Sequence, residues 1–129
     1  MAFKLGSESR SNSGAWKKSK VIKKNDLERG VLAEANNDGT IHVDSNIPED
    51  SKLYQRVIRH ERKHMEDMEN GRADYGDDWV EWDGNIYFRR EIDGVPMIDG
   101  PAGRLPEGHA DHPWEQSAIK AEKDEEYGV

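Results

Sequence analysis

His60-Glu61-Arg62-Lys63-His64 sets two imidazoles four residues apart with a carboxylate between them. On a helix, residues at that spacing lie one above the other, so both rings can chelate one Zn²⁺ ion while the Glu reaches a metal-bound water as general base. The chemistry suited to this H-E-x-x-H pattern is metal-assisted hydrolysis, with Glu61 as the catalytic residue and His60 and His64 as metal ligands. With this chain's His and Glu content such a pentapeptide arises by chance roughly 2 times in 100, so its setting must decide.

The setting reads as a helix from about residue 50 to Asn70. At 100° per residue, Leu53, Tyr54, Val57, Ile58, His60, Glu61, His64, Met65 and Met68 fall on one continuous arc. Gln55, Arg56, Arg59, Arg62, Lys63, Glu66, Asp67 and Glu69 fill the other side, so every Arg near the pentapeptide is expected to face water. Pro48-Glu49-Asp50-Ser51 has the chemistry of a helix start, and Gly71 that of a C-terminal cap.

A catalytic zinc needs three protein ligands and one open position. The chain has no Cys, so the third ligand must be a carboxylate or another His. Pro113 marks the start of a final helix, expected from Trp114 to about Glu126, on which Trp114, Glu115, Ala118, Ile119, Ala121 and Glu122 share one arc. A carboxylate on such a core-facing stripe is costly unless paired or metal-bound, which selects Glu115 as the third ligand over a simple first-turn acid. Glu122, two turns further on, is the substitute ligand or the acceptor for an imidazole N–H. Asp67 is a weaker ligand choice on the polar edge of the first helix. His109 and His112 read as surface residues of a loop, either of which could polarise a substrate carbonyl, and His42 reads as a strand residue.

The elements that must position these groups are few. At 129 residues the chain has room for one domain. Residues 1–15 include a Gly/Ser-rich stretch expected to be a flexible tail, and residues 16–129 form the single domain. Two hairpins are expected: Val31 to Ala35 with Thr40 to Asp44 about Asp38-Gly39, and Trp79 to Trp82 with Ile86 to Phe88 about Asp83-Gly84-Asn85. Residues 91–108, full of Asp-Gly and Gly-Pro steps, are expected to be turns or loop.

Composition narrows the partners. The net charge of −8 is uneven: residues 1–30 carry eight Lys/Arg against three Asp/Glu, and the remainder eleven against twenty-four. That acidic body argues against nucleic acid, leaving only a basic arm (Lys17, Lys18, Lys20, Lys23, Lys24) that could touch an acidic partner. Hydrophobic residues make up 33% and mean hydropathy is −1.06, polar enough that a small core helped by a metal is expected. No stretch is long enough to cross a bilayer and no apolar signal segment opens the chain, so the expectation is a protein of the cytoplasm without membrane contact. Oligomeric state is not legible.

Taken together, the His-Glu-x-x-His helix and the downstream helix carrying Glu115-Gln116-Ser117-Ala118 resemble the gluzincin metallopeptidases, in which the downstream Glu is the third zinc ligand. Val57 to His64, Gly71 to Tyr75, Val80 to Gly84, Tyr87 to Arg89 and Pro113 to Glu115 are similar to short metallopeptidase-like proteins common in bacteriophage genomes. This resemblance spans roughly residues 30–125. It implies an α+β minimal zincin-like core, with a small antiparallel sheet packed on the active-site helix and a C-terminal glutamate helix. It also implies a peptide or protein substrate and, for a phage-encoded chain, residence in the host cytoplasm or the virion. No residue matches the Tyr or His that stabilises the oxyanion in larger gluzincins; Tyr75, His109 and His112 are the candidates here. An edge strand near Ile41 to Asp44 could pair with an extended substrate. A non-catalytic, metal-stabilised binding or virion-structural module is the alternative, and nucleic-acid binding through the basic arm ranks behind both.

Overall fold

The computed structural model describes residues 2–3, 19–28 and 30–127. The elements run β1 (Ala2–Phe3), β2 (Lys20–Lys24), β3 (Ala33–Ala35), β4 (Thr40–Asp44), α1 (Lys52–Glu69), β5 (Ala73–Tyr75), β6 (Trp79–Trp82), β7 (Asn85–Ile92), β8 (Val95–Gly100), β9 (Gly103–Pro106) and α2 (Pro113–Glu122). The class is α+β, with a small antiparallel sheet and a C-terminal helix. The expected flexible tail and the start near Trp16 lie outside the described residues, apart from the Ala2–Phe3 strand. Among the described residues no helix is long and apolar enough to cross a membrane.

The first hairpin forms where Asp38-Gly39 places it. Gly39 takes φ +92°, and Asp38 Oδ1 accepts from the Thr40 N–H at 3.0 Å. β3 and β4 pair antiparallel, and Ala33, Ala35, Ile41 and Val43 turn fully buried side chains to one face. Two alanines on β3 leave room for α1 to pack directly against that strand. The sheet around the hairpin is not purely antiparallel. β2 runs parallel to β4 and β1 parallel to β3, giving the order β1-β3-β4-β2. Lys20, Lys23 and Lys24 therefore belong to a strand rather than to a free arm.

Ser51 caps α1 by accepting from the Tyr54 N–H at 3.1 Å. At the other end Gly71 adopts φ +77°, its N–H donating to Met68 O and that of Arg72 to Asp67 O, as in a Schellman cap. The buried residues are Val57, Ile58, His60, Glu61, His64, Met65, Asp67 and Met68. Leu53, expected inside, is exposed, and Asp67, expected at the polar edge, is buried.

Residues 91–108 correct the expectation of turns and loop. They carry the end of β7, then β8 and β9, extending the second hairpin into an antiparallel meander β5-β6-β7-β8-β9. The Asp-Gly steps are tight turns between long strands: Asp83 and Gly84 have φ +50° and +85°, and Asp93 and Gly94 +53° and +78°, the paired positive values of a two-residue primed turn. Three prolines and four glycines between residues 91 and 108 hide the strand pattern, and Ile98 is the one residue of β8 that is fully buried.

α2 stops at Glu122 rather than Glu126. The Arg59 guanidinium donates to Glu122 O from Nε at 3.0 Å and Nη2 at 2.7 Å, occupying a carbonyl that the next turn would use. Tyr127 then donates its hydroxyl to Glu66 Oε1 at 2.9 Å, drawing the chain back onto α1.

Candidate metal centre

The two helices are in direct contact, and charged side chains bridge them at several points. His60, Glu61 and His64 point from α1 into the interior at 2%, 0% and 0% exposure. The two rings stand 4.9 Å apart between centroids, edge to face at 74°. His60, Glu61 and His64 each offer one ligand atom, all within 4.8 Å of one another, so this buried group could hold a metal ion.

α2 adds two carboxylates. Glu115, in its first turn and fully buried, places Oε1 2.8 Å from His60 Nε2 and 3.1 Å from His64 Nε2. Glu122, two turns later on the same side, places Oε2 2.8 Å from His60 Nδ1. Arg56 Nη2 donates to Glu122 Oε1 at 2.9 Å, so Arg56 and Arg59 fasten the far end of α2 to α1. Arg56, expected to face water, is exposed and still makes this contact, while Arg59, expected likewise, is half-buried. No local pattern could have found this role, because their partner lies more than sixty residues away.

The charges are unusual for an interior. Burial pushes the Glu61 carboxyl up against the opposing pull of His60 and His64, and neither of its oxygens has a hydrogen-bond partner. Burial would also raise Glu115, but His64 and His60 hold it well below the usual carboxylate range. Burial alone would lower His60; the acceptors Glu115 and Glu122 outweigh it and raise the imidazole to about 9. The hydrogen bond from His60, followed by that from Arg56, keeps Glu122 below its ordinary value.

These residues fit a divalent cation. With His60 Nδ1–H donating to Glu122, a neutral ring aims the Nε2 lone pair at Glu115 Oε1, and two acceptors at 2.8 Å repel each other unless a proton or a cation lies between them. Ligand atoms sharing one tetrahedrally held cation stand about 3.3 Å apart, close to the separations of 2.8 and 3.1 Å between Glu115 Oε1 and the two imidazole nitrogens. A carboxylate accepting from the second nitrogen of a liganding His is the usual outer support of such a site.

The other candidates go elsewhere. Asp67 accepts from Ser117 Oγ at 2.9 Å and pairs with Lys63 Nζ at 3.1 Å. Tyr75 turns its hydroxyl to the β3–β4 turn, where it accepts from the Asn37 N–H at 2.9 Å. His112, expected on the surface, is fully buried, stacked on Trp114 at 4.6 Å with Nε2–H donating to Pro106 O at 3.2 Å. His109 is half-buried, its Nδ1 accepting from the Asp111 N–H at 3.0 Å. His42 is a strand residue bonded to Glu34 at 3.0 Å. The segment Ile41 to Asp44, expected at an edge, lies between β3 and β2.

In comparisons with protein-family models, curated proteins and solved structures, the chain matches none.

Proposed function

We propose that this protein is a zinc-dependent peptidase of the gluzincin kind, with His60, His64 and Glu115 as the metal ligands and Glu61 as general base. The observation that carries the reading is the convergence of both imidazole Nε2 atoms on one oxygen of Glu115, within 3.1 Å. Beside them stands a buried Glu61 carboxylate that forms no hydrogen bond.

Zinc, when bound, supplies a Lewis acid that lowers the pKa of a coordinated water and polarises a substrate carbonyl. The chain's own residues do the rest. Glu61 removes a proton from the attacking water and returns it to the leaving amine, a role suited to a carboxyl raised by burial toward the working pH. Glu122 fixes the tautomer and tilt of His60, and Arg56 and Arg59 fix Glu122. His60, Glu61, His64 and Glu115 are held on helices packed into the core, which limits reorganisation when charge develops.

A second reading, a metal-stabilised binding or virion-structural module, is favoured by one observation. All four residues are 2% exposed or less, and closed sites suit structural zinc. Glu61→Gln separates the two. Under the peptidase reading the wild type carries one zinc per chain and cleaves an unstructured protein such as casein, while the variant keeps its zinc and loses cleavage by a factor of 100 or more, as expected for removal of a general base (about 10²–10⁴). Absence of zinc, or equal cleavage by both proteins, refutes it. Zinc without cleavage, together with unfolding by chelator, establishes the module.

A further inference from the structure

We propose that the outer face of the β5-β6-β7-β8-β9 meander is a contact between two copies of this chain, stacked sheet on sheet about a two-fold axis that runs across β7. The inference stands apart from the peptidase reading, since it uses none of the metal-centre residues.

Among the described residues five large hydrophobic side chains are exposed, and four of them, Ile86, Phe88, Ile92 and Val95, at 37 to 59%, stand on one face of this sheet. Ile86, Phe88 and Ile92 alternate along β7, and Val95 pairs directly with Ile92. The opposite face is covered: Val80 and Ile98 are fully buried, and Tyr87 packs on Trp114 at 5.9 Å. The four exposed side chains leave roughly 300 Å² of apolar surface, the size at which a patch on a soluble protein marks a contact.

Charge selects a second copy as the occupant. The chain carries −8, so two copies repel each other over most of their surface. The outer face from β6 to β9 is balanced instead, with Glu81 and Asp99 against Arg90 and Arg104. Asp99 accepts from Arg104 Nε at 2.6 Å and also from Arg90. The order of residues along β7 then fixes the orientation. Parallel stacking of two β7 strands sets Arg90 on the partner's Arg90. Antiparallel stacking sets Ile86 on the partner's Ile92 and Arg90 on the ring of the partner's Phe88, a cation–π contact with an Asp99 beside it on β8. Four strands about 4.8 Å apart offer roughly 500 Å² per copy, the low end of specific interfaces, which fits a micromolar dimer.

The test is sedimentation velocity on the full chain over about 1–300 µM. The wild type should pass from monomer to dimer within that range. Phe88→Glu, at a side chain 59% exposed, should raise the dimer Kd about 30-fold or more, and Ile92→Glu should act in the same direction. Leu53→Glu, at the one exposed large hydrophobic outside this face, should leave the Kd unchanged. Orientation is read with a short bismaleimide crosslinker, because the chain has no Cys of its own: Ile86→Cys mixed with Ile92→Cys should crosslink faster than either variant alone. A wild type that stays monomeric across the whole range, or a dimer that survives both Phe88→Glu and Ile92→Glu, overturns the proposal. Faster crosslinking of each Cys variant with itself overturns the antiparallel stacking and the axis with it.

Discussion

Glu115→Gln is the most informative single change, because it keeps the volume and one acceptor oxygen while removing the charge. Glu115 Oε1 is the point on which His60 and His64 converge, at 2.8 and 3.1 Å. Zinc binding of about 10–16 kcal/mol shared over four positions gives roughly 2.5–4 kcal/mol per ligand. At about 1.4 kcal/mol per decade, zinc affinity should fall about 100-fold or more. In zinc at about 100 times the wild-type Kd, the variant then loses about 2 kcal/mol of linked stability, or roughly 6–10 °C in melting temperature for a domain of this size. The assay is a competition titration with a zinc-sensitive chelating dye, followed by thermal melts with and without EDTA. The melting gap should narrow sharply in EDTA, because most of it is ligand linkage. Unchanged zinc affinity in Glu115→Gln would refute the reasoning. If Glu61→Gln lost the metal instead, the group His60, Glu61 and His64 would be the actual ligand set.

Three further outcomes are expected. Glu122→Ala removes the acceptor from His60 Nδ1 and should weaken zinc about 10- to 100-fold while leaving one ion per chain; the same titration checks it, and wild-type affinity would deny Glu122 its supporting role. Gly100→Ala would place a Cβ 2.9 Å from His112 Nδ1, a ring already stacked on Trp114, so denaturant unfolding should show a loss of about 1–3 kcal/mol, and a loss below about 0.5 would contradict that packing. Asp99 is held at about 2 by Arg104 and then Arg90. A depressed carboxylate contributes stability above its ordinary value and loses it as pH falls through about 2, a small effect for an exposed group. Arg104→Ala should move the Asp99 titration upward by NMR, and an unmoved titration would deny the β8–β9 contact.

Sequence alone determined the helical arc that buries His60, Glu61 and His64, because a period of 3.6 is a local property of side-chain spacing. It also determined the positions of both Asp-Gly hairpins, since positive φ is a demand that only a few residue types meet. It pointed to Glu115 through the cost of a carboxylate on an apolar stripe, a cost that could be named without knowing the partner. What it could not decide was set by pairing over distance. β8 and β9 form because neighbouring strands supply the ladder that Val95 to Pro106 do not advertise. The parallel placement of β1 and β2 has no local signature at all. Arg59 looks like a solvent-facing helix residue until α2 arrives with Glu122, and Asp67 looks exposed until Ser117 bonds to it. In each case the chain announces what a residue must avoid, burial without a partner, and only the fold says which distant residue supplies that partner.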